Sequence, residues 1–333
     1  MKKLFIYILV FVCIIFIIPS VFTKKRRVSK KEEDIVENTK NVEEKEKYDY
    51  SKFAKIKLLH TKTGEIEEIP IDKYICGVVS AEMPASYSIE ALKAQAVVAR
   101  TYTLYQIINS KGKHQGADIC DDFACCQAWL SKEDRFAKWN EEEAEQNWGK
   151  IEDAVYQTQG QIITYLGEPI DAFFHSNSGG ITETANNVWG GSNFPYLQSV
   201  ETSGEDEYSS YNSEVELSKE DLISKLKEKH PEIEIDWNEE DAIKILEYTQ
   251  SNRVKTLKIG NIKIAGTEAR AIFGLKSTNF KVDTEDNKIK FEVQGYGHGV
   301  GMSQTGAEAM AKARKQLWNN NKTFLFRGGT YIY

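Results

Sequence analysis

Tyr74-Ile75-Cys76-Gly77-Val78-Val79-Ser80-Ala81-Glu82-Met83-Pro84 places Tyr74, Ile75, Val78 and Val79 at helical spacing and then stops at proline. Proline disfavours the helical conformation in the residue before it, so the stretch predicts a helix with Glu82 in its last turn. Asp72 is the expected cap. Ser88 is expected to cap a second helix over 89–107, whose Leu92, Ala96, Ala99 and Thr103 share a small-residue face able to pack closely on another element.

Alternation over 54–60, a Thr63-Gly64 turn and a run over 65–71 predict an antiparallel hairpin ahead of the first helix. Downstream, 135–159 reads as one helix with Trp139, Val155 and Tyr156 available for burial. Strands are expected over 162–166 and 170–174, the second running into His175-Ser176-Asn177-Ser178-Gly179-Gly180. The acidic segment 203–275 reads as an inserted accessory subdomain. It carries a Ser218-x-x-Asp221 capping box, a helix to Lys229, and further helix over 237–248 and 267–273. Strands over 280–282 and 289–293 then lead through Gly295-Tyr296-Gly297-His298-Gly299-Val300-Gly301 into a helix from about Gly306. The class is α+β, mixed helices and antiparallel strands in one main domain over 51–333.

The N-terminal part differs from this. Met1-Lys2-Lys3 precedes nineteen residues from Leu4 to Phe22, close to the roughly 20 that a membrane-spanning helix needs. No small-residue cleavage site follows, which favours an uncleaved anchor at 4–22 over a signal peptide, with a cytoplasmic tip at 1–3. Residues 23–50 are rich in Lys, Glu and Asp and read as a solvated spacer. Basic residues flank both ends of the apolar run and are more numerous on its C-terminal side, which by itself favours the opposite orientation, so the outward placement of the domain does not rest on charge. The 43 basic and 50 acidic side chains give a net charge of -7, which argues against a nucleic-acid partner.

Several groups could carry chemistry. Glu82 has apolar neighbours in Val78, Val79, Met83 and Pro84, and such surroundings raise a carboxyl pKa toward general-acid work. His175, Ser176 and Ser178 lack the G-x-S-x-G nucleophile elbow, so a structural loop or substrate-binding edge is the better reading. The glycines of 297–301 lack the dinucleotide order G-x-G-x-x-G. Close backbone approach to a ligand suits them, with His298 and Gln304 as hydrogen-bonding groups; a structural role for His298 stays open. Cys13 lies in the apolar run and Cys76 in the first helix, leaving His114, Cys120, Cys125 and Cys126 as a zinc set of one imidazole and three thiolates. Four closed ligands leave no open position for water, so that zinc would be structural. A disulfide from Cys120 to Cys125 or Cys126 is the alternative. A cysteine hydrolase using Cys125 or Cys126 with His114 is disfavoured by the crowding of thiols in one loop.

Residues 74–84, continued by Ala91-Leu92-Lys93-Ala94-Gln95-Ala96-Val97-Val98-Ala99-Arg100-Thr101-Tyr102, resemble the signature of the stage II sporulation protein D family. Ala172-Phe173-Phe174-His175-Ser176-Asn177-Ser178-Gly179-Gly180, Val188-Trp189-Gly190 and Gly297-His298-Gly299-Val300-Gly301-Met302-Ser303-Gln304 resemble the same family, in the same order. The resemblance implies a lytic transglycosylase cutting between N-acetylmuramic acid and N-acetylglucosamine in peptide-stripped glycan strands of peptidoglycan, with Glu82 as acid and then base. It implies that 51–333 is the catalytic domain and that a metal can occupy the cysteine loop. A sporulation cell-wall amidase and a membrane partner of the engulfment complex are the implied partners. The implied location is the mother-cell membrane, with the domain facing the wall. Wall proteins that stimulate amidases share this domain, so a non-catalytic glycan-binding activator is the competing class. Removal of stem peptides frees a lactyl carboxylate on each muramic residue, and Arg100 is the candidate cation to meet it, with a structural ion pair as the alternative.

Overall fold

The computed structural model describes residues 51–191, 194–313 and 331–332. The expected tip at 1–3, anchor at 4–22 and spacer at 23–50 lie outside the described residues. Among the described residues, no helix is long and apolar enough to cross a membrane. The hairpin forms as β1 (Lys55–Leu59) and β2 (Ile66–Pro70), antiparallel with Lys55 opposite Pro70 and Leu59 opposite Ile66.

Helix α1 (Ile71–Glu82) buries Tyr74, Ile75, Val78 and Val79 completely. Gly77 is required within it, because a Cβ there would fall 2.2 Å from Nε1 of Trp129. Asp72 is not the cap: Pro70 holds that position, and Asp72 sits in the first turn with its carboxylate on Arg100. The helix stops where expected, with Met83 extended at φ -122° and ψ 144° ahead of Pro84. Helix α2 (Ile89–Asn109) is buried on most of its circumference, as befits a central helix, and α1 packs on it. Ser88 occupies its N-cap without a side-chain bond; the Ser88 N–H instead donates to Glu308 at 2.6 Å.

Strand β3 (Ile119–Cys120) runs parallel to β1, pairing Leu58 with Ile119 and Leu59 with Cys120. That pairing pins the cysteine loop to the hairpin. The helix expected over 135–159 is two helices, α3 (Lys132–Phe136) and α4 (Glu141–Gln157). The break falls before Asn140, which takes the extended N-cap geometry while Glu141, Glu142 and Glu143 occupy the favourable N-terminal end of the next dipole. Short strands follow: β4 (Ile163–Tyr165), β5 (Glu168–Pro169) and β6 (Phe174–His175), then α5 (Ala185–Trp189).

The second hydrophobic core is built from β7 (Asn212–Ser218), α6 (Lys219–Lys227), β8 (Ile243–Tyr248), β9 (Val254–Ile259), β10 (Ile262–Ala265), α7 (Gly266–Phe273), β11 (Asn279–Glu285) and β12 (Lys288–Gln294). Its sheets run β11-β12-β7 and β10-β9-β8. The Ser218 cap holds as read, accepting from the Asp221 N–H at 3.0 Å. Two expectations change here. The helix over 237–248 is a strand at 243–248, because Ile243 and Ile245 alternate toward the core rather than repeating at helical spacing. The packed unit also extends past 275: Phe291 of β12 lies 5.0 Å from Phe273 and 5.7 Å from Phe280, which joins β11 and β12 to this core. Glu183 ties it to the rest, accepting from Thr249 at 2.6 Å and Ser251 at 2.5 Å.

The chain returns to the first core through β13 (Met302–Ser303), parallel to β6 with Met302 opposite Phe174 and Ser303 opposite His175. Gly301 permits this, with φ at +74° and a would-be Cβ 2.0 Å from the Phe173 carbonyl oxygen. Helix α8 (Gln304–Lys312) follows at once, and β14 (Tyr331–Ile332) pairs with β4.

Candidate active site

Glu82 is half-buried at the end of α1. One carboxylate oxygen accepts from the Ala128 N–H at 2.9 Å, and the other accepts from the Gln304 carboxamide at 3.3 Å. Burial lifts its pKa above the usual carboxylate range, and the two hydrogen bonds pull it back only in part. Both donors are neutral, so no counter-ion drains the proton. The site thus supplies a carboxylic acid able to give up a proton to a bound oxygen and take one back.

Three distant segments make this environment. α1 ends at Glu82, the loop after the cysteines presents Ala128, and α8 begins with Gln304. Gln304 is buried and also reaches Oε1 of Gln95 on α2 at 3.4 Å. Of the expected site residues, Glu82 and Gln304 are in direct contact.

The others have different surroundings. His175 is buried, with Nδ1 3.0 Å from the Val300 carbonyl oxygen, and burial pushes its pKa down to about 3. Ser176 is half-buried, and its carbonyl accepts from the Thr305 N–H at 3.0 Å. Ser178 is buried with its hydroxyl in hydrogen-bond contact with Glu205, so it presents no edge to a substrate. His298 accepts the Val300 N–H at 3.0 Å through Nδ1, and its ring lies 5.0 Å from Trp189 and 6.0 Å from Phe173. Burial holds His298 well below its ordinary pKa, so it is a neutral ring at neutral pH.

Arg100 is a correction. It is fully buried, donates to Asp72 at 3.0 and 3.2 Å, and donates to the carbonyls of Val155, Thr158 and Gln161. A guanidinium so occupied has nothing to offer a lactyl carboxylate. The alternative reading, a structural ion pair, is the one the fold adopts.

In the cysteine loop, the ligand atoms of His114, Cys120, Cys125 and Cys126 all lie within 4.8 Å of one another. Nε2 of His114 is 3.3 Å from Sγ of Cys126 and 3.9 Å from Sγ of Cys125. Tetrahedral zinc spaces such donors by roughly 3.5–3.8 Å, so the set fits that ion. Adjacent Cys125 and Cys126 both point inward, and all of these cysteines are free thiols. The disulfide alternative is not the arrangement seen. Cys126 stands two residues before Ala128, so the same loop carries the candidate ligands and the amide that holds Glu82.

Sequence reasoning missed Ala128, Gln95 and Glu205. A backbone N–H leaves no mark on residue type. Gln95 lies inside a matched motif but reads there as one more helix residue. Glu205 sits among exposed Glu201, Asp206 and Glu207 and shares their composition.

A family model described as stage II sporulation protein matches residues 59–165, and one described as a domain of unknown function matches 202–301. Stage II sporulation protein D of Bacillus amyloliquefaciens is 34% identical over 264 residues, covering 79% of this chain and 74% of that protein. Its counterpart from Bacillus subtilis (strain 168) is 35% identical over 263 residues, with 79% and 74% covered. The amidase enhancer of Bacillus subtilis (strain 168) is 32% identical over 285 residues, covering 71% of this chain and 37% of that protein.

Proposed function

Because the chain belongs to the stage II sporulation protein D family, we propose that it is a lytic transglycosylase of peptidoglycan glycan strands with Glu82 as its acid and base. The observation that carries this is the pairing of Glu82 with two neutral donors in a half-buried, pKa-raising site. Protonated Glu82 gives its proton to the glycosidic oxygen as the muramic C1–O bond breaks. The 6-hydroxyl of the same muramic residue attacks C1, and its proton passes to the Glu82 carboxylate, which restores the acid. One carboxyl suffices because the nucleophile belongs to the substrate, whereas ordinary glycosidases place a second carboxylate for water or for covalent attack. The Glu82 oxygens are met by an amide and a carboxamide.

Zinc held by His114, Cys120, Cys125 and Cys126 is proposed as a structural ion that ties the loop bearing Ala128 to the fold. The apolar segment at 4–22 is proposed as the membrane anchor and 23–50 as the spacer, placing the domain against the wall outside the cell membrane. A wall amidase that strips stem peptides is the partner this substrate requires. The second reading, a glycan-binding activator of such an amidase, draws support from the similarity to the amidase enhancer.

Glu82→Gln separates the two readings. The amide keeps the shape and loses the transferable proton, so cleavage of peptide-free glycan by the purified domain should fall by about 10²- to 10⁴-fold while glycan binding persists. Parent-rate cleavage by this variant would move the acid to another residue, and absence of cleavage by the parent would favour the activator.

A further inference from the structure

Glu205 is 1% exposed, and its carboxylate gathers hydrogen bonds from separate stretches of chain. One oxygen accepts from the Ser178 N–H at 3.2 Å, the Thr305 hydroxyl at 3.0 Å and the Ser303 hydroxyl. The other accepts from the Thr202 hydroxyl at 2.5 Å, the Gly180 N–H at 3.2 Å and the Ser178 hydroxyl. Such a set of donors suits an anion and no neutral group of the same shape. An amide would turn N–H groups toward N–H and O–H donors.

We propose that Glu205 is a positioning residue for Glu82, acting through Ser303 and Thr305 to hold the Gln304 carboxamide on the Glu82 carboxylate. The geometry is that of a clamp on three consecutive residues. Ser303 and Thr305, on either side of Gln304, both point their hydroxyls at Glu205, and the side chain between them reaches Glu82. Ser303 also accepts the Gly306 N–H at 3.3 Å as the N-cap of α8. A hydroxyl has one proton to give, so committing it to Glu205 leaves its lone pairs free for the Gly306 N–H. Without the anion that proton can turn elsewhere and the first turn of α8 loosens. The Gln304 to Glu82 bond at 3.3 Å is already long, so a small displacement of Gln304 breaks it.

This rests on the reading of Glu82 as the acid, so its test reads Glu82 without turnover. Carbon-13 NMR of side-chain carboxyls, with the Glu82 signal assigned by its loss in Glu82→Gln, gives the Glu82 titration midpoint. It is measured in the parent, Glu205→Gln, Ser303→Ala and the double variant. The Gln304 hydrogen bond lowers the Glu82 pKa, so losing it should raise the midpoint in both single variants. The double variant should move no further than Glu205→Gln, because Ser303 acts through its bond to Glu205, which Glu205→Gln already removes. Cleavage should fall about tenfold with glycan binding nearly unchanged, and its alkaline limb should move to higher pH. An unmoved Glu82 midpoint in a folded Glu205→Gln with a lowered melting temperature would overturn the proposal, leaving Glu205 as an anchor only. If Glu205→Gln fails to fold, an unmoved midpoint in Ser303→Ala overturns it equally. Parent-rate cleavage by Glu82→Gln would instead refute the acid assignment, whatever the midpoints do.

Discussion

Glu82, half-buried, and Glu205, buried, are the same side chain in two settings, and their surroundings drive them in opposite directions. Burial raises the Glu82 pKa, and donors from Ala128 and Gln304 only partly oppose it. Burial acts on Glu205 in the same sense, yet the hydrogen bonds from Ser178, Ser303 and Thr202 outweigh it and hold the pKa below the usual range. The difference is the supply of donors rather than depth. Where few donors converge, the carboxyl holds its proton more tightly than usual; where many converge, it gives the proton up more readily.

The largest expected effect strikes the Glu82 side from a distance. Chelation, or Cys120→Ser, should remove about one zinc per chain, free the loop that carries Ala128, and lower the melting temperature by roughly 5 °C or more. Unchanged melting and cleavage after confirmed metal loss would show that Ala128 is held without the ion.

A smaller effect concerns Glu205. Its folded pKa is depressed, so the stability it contributes is present above the unfolded carboxylate value near 4.3 and is lost as pH falls through the lower folded value. Urea unfolding should find Glu205→Gln less stable than the parent by about 1–3 kcal/mol at pH 7, with the gap narrowing below about pH 4. A gap independent of pH would mean that shape, not charge, is what the site needs.

The smallest effect has the opposite sign. The folded pKa of Glu82 is raised, so the parent loses stability as pH rises from about 4.3 through that folded value. Glu82→Gln removes this penalty and should gain roughly 1 kcal/mol or less at pH 7, with no gain at acid pH. A loss of stability at neutral pH would show that the two hydrogen bonds, not burial, dominate the site.

The parts legible in sequence were those set by local rules. The apolar period ending at Pro84, the Ser218 cap and the strands over 280–282 and 289–293 each depend on neighbours in the chain. The segment over 237–248 was misread because a few apolar residues satisfy either period until β9 is there to pair with. Arg100 was open to two readings because its partner Asp72 and its carbonyl acceptors lie in other elements. Glu82 and Gln304 came from their motifs, but their contact depends on α1 and α8 both packing on α2, and the Ala128 N–H has no residue signature. Glu205 looks like one more acid in a solvated run until its neighbours in space are known.

The fate of solvent oxygen separates internal attack from hydrolysis. The purified domain is incubated with peptide-free glycan strands in oxygen-18 water and the products are weighed by mass spectrometry. Internal attack by the muramic 6-hydroxyl predicts anhydro-muramic ends that carry no heavy oxygen. Reducing ends labelled with oxygen-18 would establish hydrolysis with an activated water instead and contradict a single-carboxyl mechanism at Glu82.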